Sequence, residues 1–132
     1  MRKLPFLGLL SALSVALVIP TAMAEPELSA HSDCIDRSDG NTWAMIDCDQ
    51  AELERQDAAL NANYRALLAL LDEKRRKELK EVQRAWIRFR DLNCAFYNDP
   101  EGGQAARMAA SSCFMFETAA RAQELKDLCI GC

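Results

Sequence analysis

The sequence predicts an all-α fold, a small disulfide-stapled bundle of about three helices in which two long ones form an antiparallel hairpin. Three observations predict it. Apolar residues recur at three- and four-residue steps over two long stretches, no stretch alternates with the period of a strand, and six cysteines fall in a short chain.

The elements follow in order. Residues 1–24 read as a signal peptide: Arg2 and Lys3 precede an apolar run from Leu4 to Ile19, and Ala22-Met23-Ala24 offers the small residues of a cleavage site. Pro5, Gly8, Ser11, Ser14 and Pro20 punctuate the run, which falls short of the ~20 apolar residues that span a bilayer. No cysteine adjoins the cleavage point to take a lipid anchor. Residues 25–132 then form one domain, too short for two cores. The expected location is the periplasm or exterior of a bacterial cell, with no stable membrane insertion of the mature chain.

Within it, residues 25–42 are polar and read as an irregular arm, with Pro26 and Gly40 as breakers. A first helix is predicted over 43–72 from Ile46, Leu53, Leu60 and Leu67 at seven-residue steps, with Tyr64 and Leu71 at the complementary four-residue offsets. The charged segment Asp72 to Lys77 has no Gly or Pro, but a helix running through it would be too long for the domain, so a turn is placed near Glu73 to Arg76. A second helix over 75–97 carries Leu79, Val82, Trp86, Phe89, Asn93 and Phe96 on one side. Asn98-Asp99-Pro100-Glu101-Gly102-Gly103 is the strongest loop signal, and a third, Ala-rich helix over 104–128 follows it.

Cys34, Cys48, Cys94, Cys113, Cys129 and Cys132 all lie in the exported part, as in a disulfide framework. Their spacing favours local pairs: Cys34 with Cys48, Cys94 with Cys113, Cys129 with Cys132. The last two form a C-x-x-C, but it ends the chain rather than opening a helix after a strand, which favours a terminal disulfide over redox or metal chemistry.

On helical wheels Asp57 falls within the apolar stripe of the first helix, and Arg90 falls between Leu79, Trp86 and Tyr97 on the second. A buried charge needs a partner, so the two are expected to pair inside the bundle, with Asn61 and Gln83 satisfying leftover groups. Catalysis is disfavoured. The single histidine, His31, falls in the arm and is expected to be solvated, and neither a nucleophile elbow nor a phosphate-binding glycine loop is present. No catalytic residue, cofactor or metal is expected.

The ordered set of residues resembles the lysozyme inhibitor LprI-like family. The matching elements are Cys34, Met45 and Cys48, then Leu60-Asn61 with Tyr64, then Gln83, Trp86, Arg90, Asp91 and Cys94. Gly102-Gly103, Cys113, Thr118, Arg121 and Leu125 complete the set. Two departures stand out: Gln104 occupies a place where members often carry a small hydroxyl, and Cys129 and Cys132 look like an addition. The resemblance implies an all-helical, disulfide-bonded domain and, for the name-giving branch, inhibition of lysozyme.

Loss of Arg2 and Lys3 with the leader would leave 14 bases against 20 acids, taking the net charge from −4 to −6. An acidic body repels nucleic acid and anionic lipid and is steered towards a cationic protein, such as a host lysozyme. Asp99 and Glu101, in the loop stapled by Cys94, are candidate contacts for that partner. The alternatives are a periplasmic adaptor or immunity-type module that does not act on lysozyme, and a thiol-exchange protein using Cys129 and Cys132.

Overall fold

The structure is a computed structural model in which residues 29–129 are described. The leader expected over 1–24 lies outside them, as does Cys132. Four helices follow one another: α1 (Ser29–Arg37), α2 (Thr42–Leu70), α3 (Glu73–Tyr97) and α4 (Gly103–Leu128). No strand occurs among the described residues.

Helix α1 corrects the expectation of an irregular arm. Its sequence lacks an apolar stripe, so hydrophobic periodicity does not announce it, and nine residues are too few for a helix to persist alone in water. Tertiary ties hold it. Cys34 is bonded to Cys48 with Cα atoms 5.7 Å apart, and the His31 ring donates from Nε2 to Asp49 Oδ1 at 2.7 Å.

Asn41 starts α2 by accepting the Ala44 N–H at 3.0 Å, and Asp72 starts α3 by accepting that of Arg75 at 2.9 Å. The break between the long helices is thus Leu71 and Asp72, just ahead of the expected place, and it is made by a capping carboxylate rather than by Gly or Pro. At the far end of α3, Asp99 Oδ1 accepts the Glu101 N–H at 2.9 Å. The two glycines of this loop do different work. A Cβ on Gly102 would meet that of Ala106, whereas Gly103 has φ of 60° and needs the left-handed region.

Cross-helix contacts fix the topology. Cys94 to Cys113, Arg90 to Thr118 and Gln83 to Arg121 run down α3 while climbing α4, so these helices are antiparallel. Trp43 to Arg107, Asp49 to Ser112 and Asn63 to Ala122 climb together, so α2 and α4 are parallel. Helix α4 is the central element: α2 packs along it most extensively, α3 less so, and small residues (Ala106, Ala110, Ala119, Ala122) line its buried face. The chain does reverse between α2 and α3, but these two do not pack closely on one another as a tight hairpin would. They converge near their turn, where Leu60, Leu67 and Leu79 meet Ala122, Leu125 and Cys129. Beyond it they part around a groove.

This arrangement splits the predicted apolar side of α3. Leu79 is buried and Trp86 half-buried against the core, while Val82, Phe89 and Phe96 stand exposed. The apolar arc of α3 is wider than its single close partner, α4, covers.

Candidate functional site

The groove between α2 and α3 has a volume of about 420 Å³ and is walled by Asp57, Asn61 and Tyr64 on one side and Gln83, Trp86 and Arg90 on the other. Asp57 and Arg90 therefore reach the same groove, but the expected ion pair is not formed. Asp57 is exposed and accepts from Asn61 Nδ2 at 2.9 Å. Arg90 donates to Asp91 Oδ1 from Nε at 3.0 Å and from Nη2 at 2.8 Å, and to Thr118 Oγ1 from Nη1 at 3.2 Å. The error has a physical source. The buried face of α2 includes polar Asp49 and Glu52 beside Leu60 and Leu67, so its centre lies about 60° or more around the helix from the apolar stripe, and Asp57 turns towards the groove.

A buried charge on the α3–α4 side that does need a partner is Arg121, 5% exposed. Its Nε donates to Gln83 Oε1 at 3.0 Å, and its Nη1 reaches Glu124 at 2.7 Å. Its Nη2 has no hydrogen-bond partner among the described residues. Trp86 joins both arginines, with the Arg90 guanidinium 5.0 Å and the Arg121 guanidinium 5.9 Å from its ring centroid. Gln83, Trp86 and Arg90 of the expected network thus belong to one knot between α3 and α4, whereas Asn61 and Asp57 form a separate pair on α2.

A second polar cluster joins α1, α2 and α4. Asp49, 3% exposed, accepts from His31 through Oδ1 and from the Ser112 hydroxyl through Oδ2 at 2.6 Å. His31 is consequently not a solvated loop residue. Its ring is largely covered and sits edge-on to Phe116 at 6.5 Å. The three residue types are those of a hydrolase triad, but the order differs. The carboxylate lies between the hydroxyl and the imidazole, so His31 does not take the Ser112 proton, and the cluster is suited to joining helices rather than to acyl transfer. Sequence reading missed it because Asp49 and Ser112 lie 63 positions apart. Its one available signal was a lone His beside the first cysteine.

Asp99 and Glu101 are exposed, and Asp99 also forms its own turn. Because α2 and α4 run parallel, their loop shares one end of the bundle with exposed Asp33, Asp36, Asp39 and Asp47. Among the described residues no group of three or more His, Cys, Asp or Glu side chains is placed to hold a metal. Cys129 is disulfide-bonded, and the pairing expected for it falls on Cys132, outside the described residues.

Buried polar groups given over to joining helices, and two local disulfides, define a small all-helical domain of a kind consistent with life outside the cytoplasm. The chain belongs to the lysozyme inhibitor LprI family, which matches residues 34–125. That family is one of inhibitors, not of enzymes. The chain is 30% identical to an uncharacterized protein of Rhizobium meliloti (strain 1021), over 61% of its own length and 68% of the relative's. No solved structure matches it. Of the residues on which the resemblance was read in the sequence, Gln83, Trp86, Arg90, Thr118 and Arg121, with the bonded Cys94 and Cys113, gather on this knot and its staple.

Proposed function

We propose that the protein is exported to the periplasm or the cell exterior, binds a lysozyme and inhibits it by covering the catalytic cleft. Membership of the lysozyme inhibitor family over residues 34–125 carries this reading. Inhibition by occlusion asks for a rigid, stapled surface and no catalytic residues. The partner is a cationic lysozyme, drawn to the acidic end of the bundle, which Asp99 and Glu101 share with exposed Asp36, Asp39 and Asp47. The α2–α3 turn end, with Lys74, Arg75 and Lys77, faces away from it.

The test is clearing of a cell-wall suspension by a cationic lysozyme in the presence of the processed chain. The expected result is dose-dependent loss of clearing, weakened in Asp99→Asn/Glu101→Gln, where the introduced amide oxygen still serves as the turn acceptor. Uninhibited clearing at large molar excess sinks the reading in favour of an adaptor or immunity-type module. Full inhibition by the double variant moves the contact away from this loop.

A further inference from the structure

We infer that the groove between α2 and α3 binds a short peptide with free ends, of about three residues, its ammonium on Asp57 and its carboxylate on Gln83 and Lys80. A shortage of hydrogen-bond acceptors on the α3 wall carries the inference. Gln83 is 7% exposed and lines the groove. Its Oε1 accepts from Arg121 Nε at 3.0 Å, and because a guanidinium only donates, the orientation of the amide is fixed and Nε2 is its other end. Nε2 has no hydrogen-bond partner among the described residues, yet it is not sealed in as Arg121 Nη2 is. A largely buried donor in this position has given up hydration and gained no bond in return, and an oxygen arriving through the groove restores one.

The neighbours of Gln83 add to the shortage. Arg90 spends three N–H donors on Asp91 and Thr118 and keeps one on each terminal nitrogen. Lys80, on the same wall, forms no ion pair among the described residues, whereas Arg84 beside it is matched by Glu81 and adds no free charge. On the α2 wall the need is reversed. Asp57 accepts from Asn61 through Oδ2 and meets no cation among the described residues, since Arg90 is held on its own wall by Asp91 and Thr118. A lone anion would leave Asp57 unmatched and be repelled by it, and a lone cation would leave Gln83 Nε2 without an acceptor. A ligand with an ammonium at one end and a carboxylate at the other meets both needs.

Spacing sets its length. Asp57 and Arg90 stand at one level, because both line this groove and also the adjoining hollow walled by Leu53 and Phe114. From that level Gln83 lies seven residues away along α3, about 10 Å at 1.5 Å per residue, and Lys80 lies about 15 Å away. Three extended residues reach about 10 Å. With the ammonium at Asp57, the carboxylate of such a peptide arrives at Gln83 within reach of the Lys80 side chain, and the spare N–H groups of Arg90 face the peptide carbonyls. A single amino acid is too short to meet both ends.

The experiment is isothermal titration calorimetry of the processed chain with Ala-Ala-Ala bearing free ends. Saturable binding is expected, weakened about tenfold by amidating the carboxylate and about threefold by acetylating the amine. Gln83→Glu keeps an acceptor for Arg121 but sets a carboxylate against that of the peptide, so it retains wild-type helical circular dichroism and binds about tenfold or more weakly. Asp57→Asn, at an exposed position, keeps an acceptor for Asn61. It is expected to cost as much as acetylation does, with no further loss when the two are combined. Absence of binding at about 5 mM peptide, equal binding of the amidated peptide, or wild-type affinity in Gln83→Glu overturns the proposal. So does undiminished binding after acetylation or in Asp57→Asn, which would make the groove a site for a simple carboxylate.

Discussion

At the scale of single residues, the stability of the α3–α4 interface turns on how Arg121 is matched. Its guanidinium is buried, but its one carboxylate partner among the described residues, Glu124, is more than half exposed, so the charge is held mainly by Gln83 and the Trp86 ring. Truncating one member of a buried polar pair strands the other, and Arg121→Ala is expected to cost about 3 kcal/mol. Replacing both members by apolar residues of similar volume removes the desolvation cost together with the bond. Gln83→Leu/Arg121→Met is therefore expected within about 1 kcal/mol of wild type, checked by urea denaturation of the three proteins. Arg90 behaves differently. Its acid, Asp91, is half exposed and remains solvated when Arg90 is removed, so Arg90→Ala costs about 1–2 kcal/mol. A double-mutant cycle of Asp57→Ala with Arg90→Ala is expected to give a coupling below about 0.5 kcal/mol. Coupling of about 2 kcal/mol or more would show that the groove closes to pair them. The sequence announced that polar residues lie on inward faces here. It did not announce which pair, because a wheel gives a direction on one helix, and the partner depends on which helix occupies that direction.

At the scale of elements, the same limit explains what was read and what was not. The long helices, their approximate ends and two cysteine pairs were legible, since periodicity, the Asn98–Gly103 loop and loop-sized cysteine spacings are local signals. Helix α1 was not, because between Ala30 and Arg37 nothing but His31, Cys34 and Ile35 points inward. The central place of α4 was also hidden: an Ala-rich helix has a weak apolar pattern, yet small side chains are what allow α2 to approach it along much of its length. A helix held by one disulfide and one buried hydrogen-bond cluster should unfold separately from the rest. Cys34→Ser/Cys48→Ser is expected to lose about 2–4 kcal/mol, with hydrogen exchange accelerated across residues 29–37 while α2, α3 and α4 stay protected. Uniform acceleration over all four helices would mean that α1 belongs to the cooperative core.

At the scale of the whole molecule, charge is sorted along the bundle. Acids gather at the end formed by α1, the start of α2 and the α3–α4 loop, and bases gather on α3 and at the α2–α3 turn. Net charge read from composition averaged these away, which is why the sequence alone pointed to one acidic body. The sorting has a kinetic consequence for the proposed inhibition of a cationic lysozyme. Long-range attraction between opposite fields raises the association rate and leaves dissociation, set by short-range packing, nearly unchanged. Raising ionic strength from about 0.05 to about 0.5 M should therefore slow association by about tenfold or more, with little effect on the off-rate. Asp99→Asn/Glu101→Gln should flatten that salt dependence, since it lowers the charge of the steering end. Arg84→Gln/Arg88→Gln, which neutralises cations on the α3 face, should leave the salt slope intact or steepen it by making the chain more acidic. Stopped-flow association of each variant with a fluorescent cationic lysozyme separates these cases. If neutralising the α3 cations flattens the slope instead, it is the basic face that meets the partner, and the proposed polarity of the molecule is reversed.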